Sequence, residues 1–96
     1  MVYPKDAEST FNSTYYLKEQ LPWVFDLWKP FGMKGYKVTK LDETSPYSFL
    51  TSSYFDNEQQ FESAFADSGS QIYDKIPMFS NRDAVRWGGT VVEIVL

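Results

Sequence analysis

The sequence predicts an α+β domain in the order β-α-β-β-α-β, an antiparallel sheet with two helices on one face. Three observations carry this. Apolar residues recur at helical spacing through Leu17, Leu21, Val24, Trp28 and Phe31. They alternate with polar ones over 35–42 and 47–55, on either side of a Ser45-Pro46 turn signal. Helical spacing then returns at Phe61, Ala64 and Phe65, before a closing apolar run over 85–96. This is the ferredoxin-like order, in one domain spanning residues 1–96.

Val2 and Tyr3 make a stubby first strand that Pro4 ends. Asn12 is a good helix N-cap, with Phe11 and Tyr16 placed to staple across it. Tyr16, Trp23 and Leu27 widen the stripe that follows. Pro22 lies inside it and lacks the N–H that would bond the Lys18 carbonyl, so a kink is expected. Pro30 and Gly32 end this helix. Gly35–Asp42 reads as a strand with Tyr36 and Val38 on one face. Tyr47–Phe55 reads as its hairpin partner, with Tyr47, Phe49 and Phe55 alternating against Leu50 and Tyr54. Asp56 is the expected cap of the second helix, with Gln59 three residues on. Gly69 is expected to interrupt that helix and Pro77 to stop it. Val85–Leu96 reads as the last strand, with Trp87, Val91 and Val95 on one face and Val92, Ile94 and Leu96 on the other. Two helices cover one sheet face only. The apolar groups on the other face call for a second partner, and the simplest is another copy of the chain. A homodimer through the sheet face is therefore expected.

Composition narrows the chemistry. Ninety-six residues without cysteine or histidine exclude a disulfide framework, a thiolate nucleophile, a Ser-His-Asp triad and imidazole metal ligation. Aromatics make up 19% of the chain, far from the composition of a disordered segment. The net charge is −4, and residues 45–96 hold three basic against seven acidic side chains. No basic stripe is available for phosphates, so neither a nucleic-acid nor an anionic-membrane partner is expected. No apolar run is long enough to span a bilayer and no charged-then-apolar leader opens the chain, so a cytoplasmic location is expected.

Several segments together resemble a known family. Tyr3-Pro4-Lys5, Phe11-Asn12, Tyr15-Tyr16-Leu17, Leu21-Pro22 and Val24 are similar to the opening of the EthD domain, named for ethyl tert-butyl ether degradation. Its usual pattern there is Y-P, F-D, Y-Y, H-M-P and V. The likeness continues through Gly32-Met33-Lys34, Tyr36-Lys37-Val38, Pro46-Tyr47, Tyr54-Phe55 and Phe61-Ala64-Phe65. It ends in Asp74-Lys75-Ile76-Pro77-Met78-Phe79-Ser80, which resembles the family's D-I-P-N-F-[ST] segment. The resemblance implies a dimeric α/β barrel of two ferredoxin-like subunits joined through their sheets, with a small pocket in each between sheet and helices. It also implies cofactor-independent chemistry of the oxygenase, cyclase or dehydratase kind on a small apolar, aromatic or polyketide-like compound. Two departures matter. Gln20 stands where the family has the histidine of H-M-P, and an amide cannot take a proton near neutral pH. Asn12 replaces the usual Asp, keeping the cap and losing the charge.

The candidate site residues carry two readings each. Gln20 would hold a ligand oxygen if it faces inward, and otherwise is a helix-surface amide. Tyr16, Trp23, Tyr47, Phe49, Tyr54 and Trp87 would line an aromatic pocket, or serve as ordinary core and dimer packing. Tyr16 and Tyr47 are the preferred polar handles. Asp74 would act as a base, or bond nearby backbone N–H groups in its Pro-containing turn. Glu93 shares a predicted strand face with Trp87, where its carboxyl pKa would rise, or it pairs with a base of a dimer mate. Gly88-Gly89 reads as a bulge or as a close approach beside Trp87. Asp56, Glu58 and Glu62 read as a solvated helix face, and neither a metal nor a cofactor is expected. Two functions remain open. One is a cofactor-independent enzyme working by orientation and electrostatics. The other is a ligand-binding or accessory dimer that has lost the family histidine.

Overall fold

The computed structural model describes residues 1–90, 92 and 93. Strands β1 (Val2–Pro4), β2 (Gly35–Lys40) and β3 (Tyr47–Tyr54) form an antiparallel sheet in the order β1-β3-β2. The hairpin register sets Tyr36 opposite Ser53, Val38 opposite Thr51 and Thr39 opposite Leu50. Strand side chains alternate between faces. Phe49, Thr51, Tyr36 and Val38 therefore face the helices, while Leu50, Tyr54, Lys37 and Thr39 face away. On the other edge of β1, Val2 and Val85 exchange both backbone hydrogen bonds at 2.8 Å. That antiparallel bridge lies where the ferredoxin-like order places its fourth strand.

The expected strand Val85–Leu96 goes no further than this bridge among the described residues. Val91, Ile94, Val95 and Leu96 lie outside them. Beyond Val85, Arg86 stacks over the rings of Phe61 and Phe65 at 5.3 and 4.2 Å. Trp87 is 65% exposed and Val92 is 94% exposed. An added Cβ at Gly88 or Gly89 would meet nothing within 4 Å, so no group approaches them closely. Two consecutive glycines weaken a ladder, and apolar side chains with no surface to cover do not hold one. Glu93 is exposed rather than set in an apolar face.

The first helical rod is α1 (Ser13–Tyr15), a π turn (Tyr16–Gln20), α2 (Leu21–Trp28) and a 3₁₀ turn (Lys29–Phe31). Asn12 caps it as expected, its Oδ1 accepting from the Tyr15 N–H at 3.1 Å. Phe11 and Tyr16 form the staple, with ring centroids 5.1 Å apart. Pro22 is accommodated by the π turn. The Leu21 N–H bonds the Tyr16 carbonyl five residues back, and Pro22 stands in the first turn of α2, where a missing donor costs least. The wider turn shifts the buried face by a residue. Leu17, expected on that face, is 44% exposed, while Tyr16 and Gln20 are buried. Gly32 ends the rod with φ +103°, a left-handed conformation that suits glycine.

Helix α3 (Glu58–Asp74) differs from expectation at three points. Its cap is Asn57, whose Oδ1 accepts from the Gln60 N–H at 2.9 Å, not Asp56. Gln60 reaches back to the Asp56 N–H, so the box closes one residue late. Gly69 does not interrupt the helix. It is buried and leaves room for the Phe65 ring, which would lie 2.9 Å from a Cβ there. Pro77 sits inside a 3₁₀ turn (Ile76–Met78) that follows α3.

Two buried clusters join the layers. Tyr3, Tyr16, Leu21, Ile76 and Phe79 form one, and Val24, Trp28, Met33, Ala64 and Ile72 the other. Tyr36 borders both. Trp28 fastens the helices together by donating its Nε1–H to Ser68 Oγ at 2.8 Å.

Candidate functional site

A buried polar side-chain pair joins the first cluster to β3. Tyr16 projects from the π turn toward β3, and its hydroxyl lies 2.6 Å from Thr51 Oγ1. Both residues are buried. The Tyr16 ring is walled by Phe79 at 4.9 Å, Phe11 at 5.1 Å and Tyr3 at 5.5 Å between centroids. Burial pushes the Tyr3 and Tyr16 phenols above their ordinary pKa, and the Thr51 hydrogen bond draws Tyr16 part of the way back. Both phenols are therefore neutral at physiological pH and act as hydrogen-bonding groups rather than bases.

Gln20 ends the π turn, one turn beyond Tyr16 on the same helix, and is only 4% exposed. A π turn within an α-helix often marks a functional position because it re-aims one side chain. Here the re-aimed residues are Tyr16 and Gln20.

The remaining candidates disperse. Phe49 is half-buried and stacks on Phe11 at 5.0 Å, which brings it into the same aromatic group as Tyr16. Trp23 is half-buried against the second cluster, with Lys75 Nζ 5.5 Å over its ring. Tyr47 is half-buried at the start of β3. Tyr54 is exposed on the helix-free sheet face, and Trp87 is exposed beyond the Val85 bridge. Asp74 is exposed at the end of α3 and makes none of the expected turn hydrogen bonds to a described residue. Asp56, Glu58 and Glu62 do not converge, and no group of three acidic side chains is placed to hold a metal among the described residues. No helix among them is long and apolar enough to cross a membrane.

Sequence reasoning missed Thr51, Phe79 and Tyr3 as partners of Tyr16. A signal for Thr51 was present: it alternates in phase with Phe49 on the face that Tyr16 meets. Phe79 carried none, because its place depends on how the turn after α3 returns to the sheet.

Open depressions mark the surface of the described residues. One, of about 340 Å³, is lined by Thr10, Phe11, Asn12, Pro77, Met78, Phe79, Ser80 and Asn81. Another, of about 320 Å³, is lined by Phe31, Asn57, Gln59, Gln60 and Ser63. None of the eight candidates lines either. The space around the Tyr16 hydroxyl is occupied by the surrounding rings.

The segments beside the first depression are clasped together. Phe11 and Ser80 form an antiparallel bridge, and the Asn12 N–H donates to the Phe79 carbonyl at 2.7 Å. Asn81 accepts from the Thr10 N–H and donates to the Glu8 carbonyl. Arg82 makes two bonds to Asp6, at 2.9 and 3.0 Å. The Arg82 guanidinium, together with the Glu8 N–H, holds the Asp6 carboxyl below its usual pKa. A carboxyl depressed in the folded state stabilises that state above its unfolded pKa, about 3.9 for Asp, and ceases to do so as pH falls through the folded value. We expect Asp6→Asn to lower the urea midpoint at pH 7 and to lose that difference in acid. A midpoint gap unchanged down to pH 2 would contradict the pairing.

No protein-family model and no curated protein matches this sequence. Among solved structures, the chain is similar to the crystal structure of an EthD-like protein from Ralstonia eutropha JMP134. The TM-score is 0.69 at 22% identity, over 88% of this chain and 80% of that one. At that identity the likeness shows a shared fold.

Proposed function

We propose that the chain forms a homodimer through its helix-free sheet face and binds a small, uncharged aromatic or otherwise apolar molecule. The ligand would meet Tyr16, Thr51 and Gln20 between the first helical rod and the sheet once the aromatic rings that fill this region move aside. The observation that carries the reading is the enclosed Tyr16–Thr51 hydroxyl pair with buried Gln20 one turn away. These groups are neutral, can donate and accept, and are set among aromatic rings, which is the composition of a small-molecule site. No carboxylate or lysine is buried among the described residues, so binding is favoured over proton transfer. Leu50 and Tyr54 on the helix-free face supply the apolar contribution to the dimer.

A cofactor-independent enzyme is the second reading. It is favoured by the same hydroxyl pair, which could donate to a ligand oxygen as charge develops there. Gln20→His restores the residue that the EthD pattern carries. Turnover gained on an aromatic test compound would support the enzyme reading.

The test has two arms. In sedimentation velocity at micromolar concentration the protein should run as a dimer, and Leu50→Asp as a monomer. A monomeric parent protein would end the dimer reading. In calorimetry the protein should bind 2-naphthol, a neutral planar phenol, and Gln20→Leu should bind it about tenfold more weakly, the effect of losing one buried hydrogen bond. Absence of both 2-naphthol binding and a co-purifying small molecule in native mass spectrometry would end the binding reading.

A further inference from the structure

We propose that the 340 Å³ depression is the outer vestibule of the Tyr16 region, closed from it by the rings of Phe11 and Phe79 and opened by release of the Asp6–Arg82 clasp. The inference rests on the reading that the Tyr16 region takes a ligand. Phe11 and Phe79 line the depression, and the same two rings touch Tyr16. The barrier between solvent and the Tyr16 ring is therefore one ring thick on this side. The two rings also touch each other, 5.6 Å apart and nearly perpendicular, so moving either one breaches the wall.

The wall belongs to two segments rather than to one rigid element. Phe11 lies in the chain leading into α1, and Phe79 follows the 3₁₀ turn after α3. What holds the segments together beyond the rings is the Phe11–Ser80 bridge with the Asn12 N–H bond to the Phe79 carbonyl and, outside it, the surface Asp6–Arg82 pair and the Asn81 bonds to Thr10 and Glu8. Solvent-exposed pairs of this kind are weak, and segments held by exposed hydrogen bonds open well below the free energy of global unfolding. Phe79 is itself buried in the first cluster, and the helices and β3 are tied through further buried contacts in both clusters. The geometry thus separates a fixed floor, Thr51 on β3 and Tyr16 on the rod, from a hinged wall.

The absence of cysteine makes the opening directly measurable. A single Thr51→Cys places a thiol on the floor. Its reaction with a soluble aromatic disulfide such as DTNB releases one thiolate per chain and reports how often the floor meets solvent. The labelling rate should exceed that calculated from global unfolding and change little in dilute urea. Arg82→Gln should raise it about three- to fivefold, the loss of one well-formed surface pair. Lys34→Gln, which breaks the separate Lys34–Asp56 pair, should leave it unchanged. Labelling that follows urea with the full slope of unfolding would overturn the proposal. So would an unchanged rate in Arg82→Gln, or an equal rise in Lys34→Gln. If Thr51→Cys does not fold, Gln20→Cys is the second reporter with the same expected pattern. No ligand enters this experiment. Failure to bind 2-naphthol would defeat the binding reading and leave the labelling result standing, and the reverse holds as well.

Discussion

Trp28→Ala should cost the protein about 3–5 kcal/mol in urea unfolding, the usual penalty for removing a buried indole. Three effects combine at this residue. The ring is 4% exposed and packs edge-on to Phe61 at 5.7 Å and tilted to Phe55 at 5.9 Å. Its Nε1–H donates to Ser68 across the helix pair, and Ser68 keeps only its bond to the Ala64 carbonyl once the indole is gone. The vacated volume lies between two helices whose backbones are held apart by other side chains, so collapse is incomplete. A domain of this size has about 5–14 kcal/mol in total, so the variant should lose roughly a fifth or more of its stability. A loss below about 1 kcal/mol would mean that the helices do not meet through Trp28.

Thr51→Val should be the most costly near-isosteric change in the sheet, by about 1–3 kcal/mol. It keeps the shape of the side chain and leaves the Tyr16 hydroxyl buried without its partner at 2.6 Å. Tyr16→Phe should cost less, because it removes the group that needs satisfying and leaves only the smaller Thr51 hydroxyl. Combining the two should restore part of the loss, since neither polar group then remains. The double-mutant cycle from urea midpoints measures this directly, with a coupling of about 1 kcal/mol expected. Strict additivity would show that the two hydroxyls do not share a hydrogen bond.

The parts of this molecule that periodicity governs were legible in the sequence. The hairpin of β2 and β3, with Tyr36 and Val38 on one face, follows from alternation about the Ser45-Pro46 turn, and the Asn12 cap follows from its side-chain chemistry and the Phe11–Tyr16 staple. Where two local preferences competed, the sequence did not decide between them. Asp56 and Asn57 can each cap α3, and the choice fell to Asn57 because Gln60 can then reach the Asp56 N–H. Gly69 reads as a helix breaker, but its missing side chain makes room for Phe65. Within the candidate site, Tyr16, Gln20 and Phe49 were identifiable from pattern and resemblance. The Tyr3 and Phe79 part of the enclosure was not, because it is made by segments far apart in sequence whose meeting depends on the whole fold. Trp87 lies exposed for a different reason: among the described residues the expected ladder goes no further than the Val85 bridge.

The π turn has a consequence for sequence length as well as for shape. It carries one residue more than an α-helical turn would need between the same two flanks. Deleting Lys18 would let the rod close at α-helical spacing, with regular backbone hydrogen bonds except at Pro22, which has no N–H to donate. The price is phase: each residue of an α-helix advances about 100° around the axis, so everything before the deletion would be rotated by that angle relative to α2. Tyr16 would then swing off the sheet while Val24 and Trp28 kept their places. In this rod an alignment gap of a single residue is a rotation, and chains of this fold that differ by one residue between the cap and Pro22 present different side chains to Thr51.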